Sequence, residues 1–239
     1  MKDENAEATS IQRTGAPRER SPFTVGREKG WEVILQHTGA NMLKRGFGVS
    51  LASGLADAAA IVVNDLLPAS GAKVVAFGGS MTVREAGLLE SIKAVPGLEV
   101  MDTFDMSIGL EAMIELRRKA LLSDLFICSA NALSRDGQMI LVDGIGNRTA
   151  AVQFGPKKVI LLVGRNKICT NLEEGANRIK YLAAPANSQR LNKKTPCVKT
   201  GQCMDCNSPD RICTYWTTVQ RSNPAGRIHV ILIDEETGF

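Results

Sequence analysis

The feature that most constrains the fold is an alternation of strand-like apolar runs with helical patterns between residues 73 and 128. The three runs are Lys73–Phe77, Leu98–Asp102 and Asp124–Cys128. Each intervening segment is long enough to hold a helix, so the strands can pair in parallel through right-handed connections. The alternation predicts an α/β fold with a mostly parallel sheet flanked by helices.

Outside this unit the pattern changes on both sides. Downstream lie strand-like runs at Gln138–Val142, Thr149–Phe154 and Lys158–Val163, a helical pattern over residues 171–183, and a last run at Arg227–Ile233. The first three have links too short for crossover helices, so hairpins or irregular turns must join some of them. We expect the last run to return to the main sheet. Upstream, the apolar spacing predicts a helix from about Trp31 to Leu43, and Ser50 offers an N-cap for a helix through Leu67.

The N-terminal residues suggest one domain preceded by a tail. Residues 1–29 mix charges with two prolines, so we expect a poorly ordered tail and a single domain over residues 30–239. The first residues are charged where a signal peptide is apolar, and no apolar run approaches the ~20 residues of a membrane span. We therefore expect a cytoplasmic protein with no membrane partner.

Positive charge is concentrated near the C-terminal end. Residues 187–227 carry seven Lys or Arg against two Asp, a net charge of +5 within a chain whose total is +4. Such a patch suits nucleic acid, but only Tyr215 and Trp216 offer stacking surfaces there, so a nucleic-acid partner is disfavoured. The alternatives are an anionic ligand or compensation of nearby thiolates.

The same region contains the strongest chemical signal, four of the six cysteines within 17 residues. They are Cys197, Cys203, Cys206 and Cys213, spaced C-x5-C-x2-C-x6-C. Four soft ligands in an irregular segment suit tetrahedral zinc or a [4Fe–4S] iron–sulfur cluster, which would make residues 187–226 a metal-site insertion. Asn207 directly follows the C-x2-C pair Cys203–Cys206, and asparagine tolerates the left-handed backbone that a tight thiolate turn often requires. Disulfides are disfavoured in a cytoplasmic chain. The remaining cysteines, Cys128 and Cys169, are not expected to be ligands.

Two glycine-containing loops follow predicted strands and could bind an anion. Residues 78–82 (GGSMT) open a helix, where amides and hydroxyls can donate to a phosphate or carboxylate; the alternative is an ordinary capped turn. In residues 143–148 (DGIGNR), Asp143 and Arg148 stand at opposite ends of a loop at a strand end, where ligands commonly bind; the alternative is a tight turn. Lys167 is either a cation for an anionic substrate or solvated.

Several catalytic classes are disfavoured. The sequence contains no G-x-G-x-x-G, no G-x-x-x-x-G-K-[ST] and no G-x-S-x-G. Its two histidines, His37 and His229, fall in a predicted helix and a predicted strand, which favours structural roles over a Ser-His-Asp hydrolase. These motifs alone therefore name no reaction.

In combination, the motifs resemble the LUD-domain family, named for lactate utilisation. The segments that carry the resemblance are GGSMTVREAGLLE (78–90), DGIGNR (143–148), FGPKKVILLVGRNK (154–167), APANSQRLNKKTPC (184–197) and GQCMDCNSPDRIC (201–213). The chain is similar to a short subgroup with a four-cysteine motif, which lacks the ferredoxin-like extension of larger members. The family fold is similar to the NagB/RpiA/CoA-transferase type.

The resemblance implies a ligand cleft between the two loops. One side would consist of Gly78, Gly79, Ser80 and Thr82, and the other of Asp143, Gly144, Gly146, Asn147 and Arg148, with Asn166 and Lys167 nearby. Some members act with iron–sulfur partner proteins in systems that oxidise L-lactate to pyruvate. The resemblance thus implies a small anionic substrate and redox partners of that kind.

Three functions remain open at this point. The first is a component of lactate or 2-hydroxy-acid oxidation that uses a metal or iron–sulfur centre or redox partners. The second is a sugar-phosphate or CoA-ester enzyme, which the fold type allows. The third is a non-enzymatic binding or regulatory protein stabilised by a metal. The sequence does not decide whether the chain is an enzyme.

Overall fold

A parallel sheet forms the centre of the molecule, as predicted from residues 73–128. The computed structural model describes residues 22–103 and 105–239. The strands are β1 Gly48–Ala52, β2 Val74–Phe77, β3 Glu99–Met101, β4 Leu125–Cys128, β5 Ala132–Ser134, β6 Met139–Asp143, β7 Lys158–Gly164, β8 Ile168–Cys169, β9 Tyr215–Val219 and β10 Ile228–Ile233. Six of them form a sheet in the order β1-β10-β7-β4-β2-β3, and every pairing in it is parallel. The predicted α/β fold with a mostly parallel sheet is confirmed.

Helices cover both faces of this sheet, and further helices near the C-terminal end pack against a second, smaller sheet. They are α1 Pro22–Lys44, α2 Leu55–Ala60, α3 Leu67–Ser70, α4 Met81–Glu85, α5 Leu88–Lys93, α6 Leu110–Lys119, α7 Asn147–Gln153, α8 Leu172–Arg178, α9 Ala184–Arg190 and α10 Cys197–Thr200. Wide π-type turns over Ile61–Leu66 continue α2 into α3, and similar turns over Ile179–Ala183 continue α8 into α9. The predicted helix over residues 171–183 is therefore present, and Asn171 begins it by accepting from the amide of Glu174 at 2.9 Å.

The core explains why the sequences of the central strands are continuous apolar runs. Along β7, Val159, Leu161 and Val163 belong to one buried cluster, which also contains residues of α1 and α7. Ile160 and Leu162 belong to a second buried cluster on the opposite face. Successive side chains alternate between faces, and both faces are covered, so no position in these strands needs to be polar.

A second, smaller sheet has the order β8-β5-β6-β9. Strands β5 and β6 form an antiparallel hairpin, although Ala132–Ser134 was not predicted as a strand. The hairpins or irregular turns expected among the runs at Gln138–Val142, Thr149–Phe154 and Lys158–Val163 are not found, because the middle run belongs to a helix that connects β6 to β7. Strand β9 pairs antiparallel with β6 and lies within residues 187–226, which we expected to be irregular. Its sequence, YWTTV, is β-branched and aromatic, so a strand preference was present there.

Two sequence predictions of local structure are wrong. Residues 149–153 lie in helix α7 rather than in a strand. The helix begins there because Gly146 adopts the left-handed conformation at φ +82° and the Asp143 carboxylate accepts from the amide of Thr149 at 2.8 Å. Ser50 does not cap a helix. It lies in β1, which pairs with β10, and the helix begins after Gly54.

The N-terminal boundary stays a prediction. Residues 1–21 lie outside the described residues, and residues 22–29 form the first turns of α1. Among the helices that the structure describes, none is long and apolar enough to cross a membrane.

The carboxyl ends of β2, β4, β7 and β10 meet at one edge of the six-stranded sheet, because these four strands are parallel neighbours. Residues 78–82, Ser129, residues 165–167 and residues 234–238 follow these ends directly. This edge is where α/β sheets commonly bind ligands.

Candidate functional site

A buried lysine lies at this edge. Lys167 is only 3% exposed, and its amine donates to the Oγ1 of Thr82 at 2.7 Å and to the Oγ of Ser129 at 2.9 Å. Both hydroxyls are themselves buried. No acidic side chain forms an ion pair with Lys167 in the described part of the chain. The amine is thus held by neutral groups, which is unusual for a buried lysine.

The surroundings disfavour the charged form of this amine. Burial lowers the pKa of Lys167 to about 7, and the positive charges of Arg178 and Arg148 add to that lowering. The carboxylate of Glu85 acts in the opposite direction and is a smaller influence. Lys167 can therefore gain or lose a proton near neutral pH.

Arg178 provides an unsatisfied donor near this lysine. Its Nε donates to the carbonyl oxygen of Asn166 at 2.8 Å, and its Nη1 donates to that of Asn131 at 2.9 Å. Its Nη2 is buried and has no acceptor among the described residues. A buried donor without a partner costs about 1–3 kcal/mol, so an acceptor from a ligand would stabilise the site. We call Lys167, Thr82, Ser129 and Arg178 the lysine site.

The loop at residues 143–148 is organised by an internal ion pair. Arg148 Nε donates to Asp143 Oδ1 at 2.7 Å, and both side chains are largely buried. Its other nitrogens donate to the carbonyl oxygen of Val142 at 2.7 Å and the side chain of Asn131 at 3.1 Å, with a longer contact to the carbonyl oxygen of Ser129 at 3.4 Å. The guanidinium is therefore fully engaged, and Arg148 positions the loop beside the lysine site.

The first glycine loop is fitted closely to this arrangement. A Cβ at Gly78 would lie 2.9 Å from the Cγ of Arg148 and 2.8 Å from the ring of Phe126, so no larger residue fits there. Ser80 caps helix α4 by accepting from the amide of Val83 at 3.3 Å.

A short segment covers the lysine site. We call Thr237–Gly238 the strap. Glu85 accepts from the Thr237 hydroxyl at 2.6 Å and from the Gly238 amide at 3.0 Å. Asn166 accepts from the Thr237 amide at 3.2 Å and donates to the Gly238 carbonyl at 3.3 Å, while Thr82 donates to the Thr237 carbonyl at 3.4 Å. Five hydrogen bonds thus hold the strap.

The four-cysteine segment, Cys197–Cys213, lies beside the second sheet. All four cysteines are free thiols and line one cavity of about 20 Å³. Arg211 donates to the carbonyl oxygens of Cys206 at 2.7 Å and Cys213 at 3.3 Å, which fixes the backbone around the cavity. No three His, Cys, Asp or Glu side chains within residues 22–103 and 105–239 are grouped to hold a single metal ion.

The comparisons with known proteins place this chain in a family. The LUD domain model matches residues 35–233. The chain belongs to the LUD domain family. Membership supports a role related to lactate utilisation. No curated protein matches the chain. Among solved structures, the chain is similar to a DUF162 family protein from Deinococcus radiodurans, with 18% identity over 85% of this chain and 98% of that chain and a TM-score of 0.48.

In this LUD domain, the predicted cleft residues fall into three groups. Thr82 and Lys167 touch each other in the lysine site, and Asn166 holds the strap. The loop residues Gly78, Asp143 and Arg148 are linked to one another beside the site, and Ser80 caps α4. Gly146 faces the ring of Tyr215, and a Cβ at Gly79 would meet no atom within 4 Å. Asn147 is the first residue of α7. Gly144 faces the four-cysteine segment, because a Cβ there would lie 3.3 Å from the Cα of Ile212. Ligand binding by any of these residues stays a prediction.

Sequence reasoning missed four residues of this region. Ser129 directly follows the predicted strand at Asp124–Cys128, so the rule that ligands bind at strand ends could have found it. Arg178 lies on a helix, where a charged residue is ordinarily solvated. Thr237 and Gly238 lie beside Lys167 through contacts with residues far away in sequence. No local sequence pattern indicates such contacts.

The left-handed residue near the C-x2-C pair also differs from the expectation. Asp205, at φ +42°, adopts this conformation, whereas Asn207 does not. Its amide approaches the sulfur of Cys203 at 3.4 Å. The tight turn is therefore made inside the C-x2-C pair rather than after it.

Proposed function

We propose that this LUD domain is a component of lactate or 2-hydroxy-acid oxidation and binds the acid at the lysine site. The observation that carries the proposal is the buried Nη2 of Arg178, which has no acceptor among the described residues. A carboxylate would accept that hydrogen bond, and its negative charge would compensate the Arg178 guanidinium beside Lys167.

Lys167 would act on the other end of the acid. With the carboxylate on Arg178, the oxygen at C2 of a 2-hydroxy or 2-oxo acid would meet the amine of Lys167. An amine whose pKa is about 7 donates or accepts a proton at neutral pH. Thr82 and Ser129, within 2.9 Å of that amine, would fix its position.

We also propose that the four-cysteine segment holds an iron–sulfur cluster. A single tetrahedral zinc requires four sulfurs within about 3.8 Å of one another, given Zn–S bonds of about 2.3 Å. Either group needs its ligands around one point, and all four cysteines surround one cavity. Four thiolates without histidine are also the ligand set of a [4Fe–4S] cluster. A bound cluster would supply one-electron transfer to iron–sulfur partner proteins.

Calorimetric titration with L-lactate and with pyruvate tests the binding proposal. We expect both acids to bind the wild-type protein and to bind Arg178→Gln and Lys167→Met at least about tenfold more weakly, since hydrogen bonds to charged groups contribute about 1.5–3 kcal/mol. Arg118→Gln is the matched control, because Arg118 is an exposed arginine on α6. Circular dichroism melting checks that each variant is folded.

Two results would overturn the proposal. The first is that neither acid binds the wild-type protein. The second is that both acids bind Arg178→Gln and Lys167→Met as tightly as they bind Arg118→Gln. Binding of a sugar phosphate or CoA ester in place of both acids would instead support the enzyme class that the fold type allows.

A further inference from the structure

Among the described residues, the amine of Lys167 has no carboxylate partner, unlike the ion-paired lysines. At Lys93, for example, the hydrogen bond to Asp102 at 2.7 Å raises the pKa of the amine. Lys167 has two hydroxyl partners and arginine neighbours instead. An ammonium ion has no lone pair, whereas a neutral amine is a nucleophile. The surroundings of Lys167 therefore favour the nucleophilic form.

We propose that Lys167 forms a reversible imine with the carbonyl carbon of a small 2-oxo acid. The inference rests on the proposed function for the class of acid, since a 2-oxo acid is the product of 2-hydroxy-acid oxidation. The amine nitrogen attacks the C2 carbon, and a nitrogen–carbon bond forms as the carbonyl π bond opens. The resulting carbinolamine loses its oxygen as water and leaves a C=N bond. The step is redox-neutral and needs no other reactant.

The two hydroxyl groups provide the proton transfers that this step requires. Thr82 Oγ1 and Ser129 Oγ each lie within 2.9 Å of the nitrogen. Either hydroxyl can accept a proton from the nitrogen after attack and donate one to the departing oxygen. Because both are buried, bulk water does not compete for these transfers.

The strap limits which acids can reach the amine. A Cβ at Gly238 would lie 3.2 Å from Lys167 Nζ and 2.6 Å from Thr82 Oγ1, so the strap backbone occupies the space beside the nucleophile. The strap must lift to admit a ligand, and it can then close and exclude water. Because the strap backbone lies this close to the amine, an acid of pyruvate's size requires less displacement than a larger one.

Reductive trapping tests the imine directly. The protein is incubated at neutral pH with pyruvate and cyanoborohydride, which reduces imines to stable amines, and modified lysines are located by peptide mass spectrometry. We expect Lys167 to carry at least about ten times more adduct than any exposed lysine, since most of an ordinary lysine is protonated at this pH. Propionate, which lacks the oxo group, should give none, and Lys167→Arg should lose the dominant adduct.

A strap variant addresses access to the site. Glu85→Ala removes the acceptor of two strap hydrogen bonds and should speed adduct formation at Lys167. Glu90→Ala is the matched control, because Glu90 is an exposed acid on α5 that pairs with Lys93 at 3.5 Å. Adduct spread evenly over exposed lysines, or absent from Lys167 in both the wild type and Glu85→Ala, would overturn the inference.

Calorimetry separates this inference from the proposed function. If pyruvate binds but leaves no adduct at Lys167, the imine is excluded while the binding proposal stands. If neither acid binds and no adduct forms, both fail. An adduct at Lys167 in a protein that carries no redox centre supports the imine and counts against the oxidation role.

Discussion

The main-chain amide of Thr214 donates to the carbonyl oxygen of Asp143 at 2.9 Å. Thr214 directly follows the last cysteine of the four-cysteine segment. The side chain of Asp143 binds Arg148, which contacts the carbonyl of Ser129, and the hydroxyl of Ser129 accepts from Lys167. A continuous chain of hydrogen bonds therefore joins the four-cysteine segment to the lysine site.

The Asp143–Arg148 pair should matter for stability. Replacing Asp143 by Asn keeps the shape but leaves the largely buried Arg148 without its counter-charge, and we expect the free energy of unfolding to fall by about 3 kcal/mol. Glu115→Gln, which breaks the exposed pair with Arg118, should cost less than about 1 kcal/mol. Urea unfolding measures both. Equally small decreases in the free energy of unfolding for both variants would show that the buried pair does not stabilise the loop.

The sequence was most informative where structure is local. The alternation over residues 73–128 predicts the parallel sheet because each strand and helix carries its own apolar pattern. Helix α7 was not predicted because its start depends on Gly146 and on the Asp143 carboxylate. These are contacts between a loop and the helix, and they leave no periodic apolar pattern in the sequence. Lys167 was identified only as a possible cation, since its burial results from strands far apart in sequence.

Gly238 should be sensitive to substitution. Gly238→Ala places a Cβ 2.6 Å from Thr82 Oγ1, so the strap should shift and expose Lys167. Gly71→Ala is a matched control, because Gly71 has nearly the same left-handed φ, +61° against +60°, and open space around its Cβ. Both substitutions place an L-residue in a left-handed conformation and carry a similar backbone penalty of about 1–2 kcal/mol. Faster labelling of Lys167 by trinitrobenzenesulfonate in Gly238→Ala alone is the expected result, and equal labelling in both would contradict it.

Lys167 should also affect how stability varies with pH. Its pKa is about 7 in the folded protein, against an ordinary value of 10.5. Between these values the unfolded chain binds one more proton than the folded chain, so this group makes the free energy of unfolding rise with pH. Lys167→Met should remove that rise. Urea unfolding of both proteins at several pH values in this window measures the difference, and parallel pH profiles would refute the assignment.

The cluster proposal predicts a specific dependence on cysteine. Protein purified without oxygen should contain iron and sulfide and absorb broadly in the visible range, and Cys206→Ser should lose most of both. Cys169→Ser is the control, because Cys169 is buried in β8 outside the four-cysteine segment. One zinc without colour would make the site structural, and the absence of any metal from the anaerobic wild-type protein would exclude a metal at these cysteines.

The position of β10 also bears on the order of assembly. This strand lies between β1 and β7, although it follows every other strand described here in sequence. During synthesis, β1 has no described neighbour within the six-stranded sheet until residues 228–233 have left the ribosome. The four-cysteine segment and the second sheet beside it precede those residues in sequence, so both can form before the six-stranded sheet is complete. Completion of that sheet depends on its last strand, and pairing over such sequence distances makes this step slow.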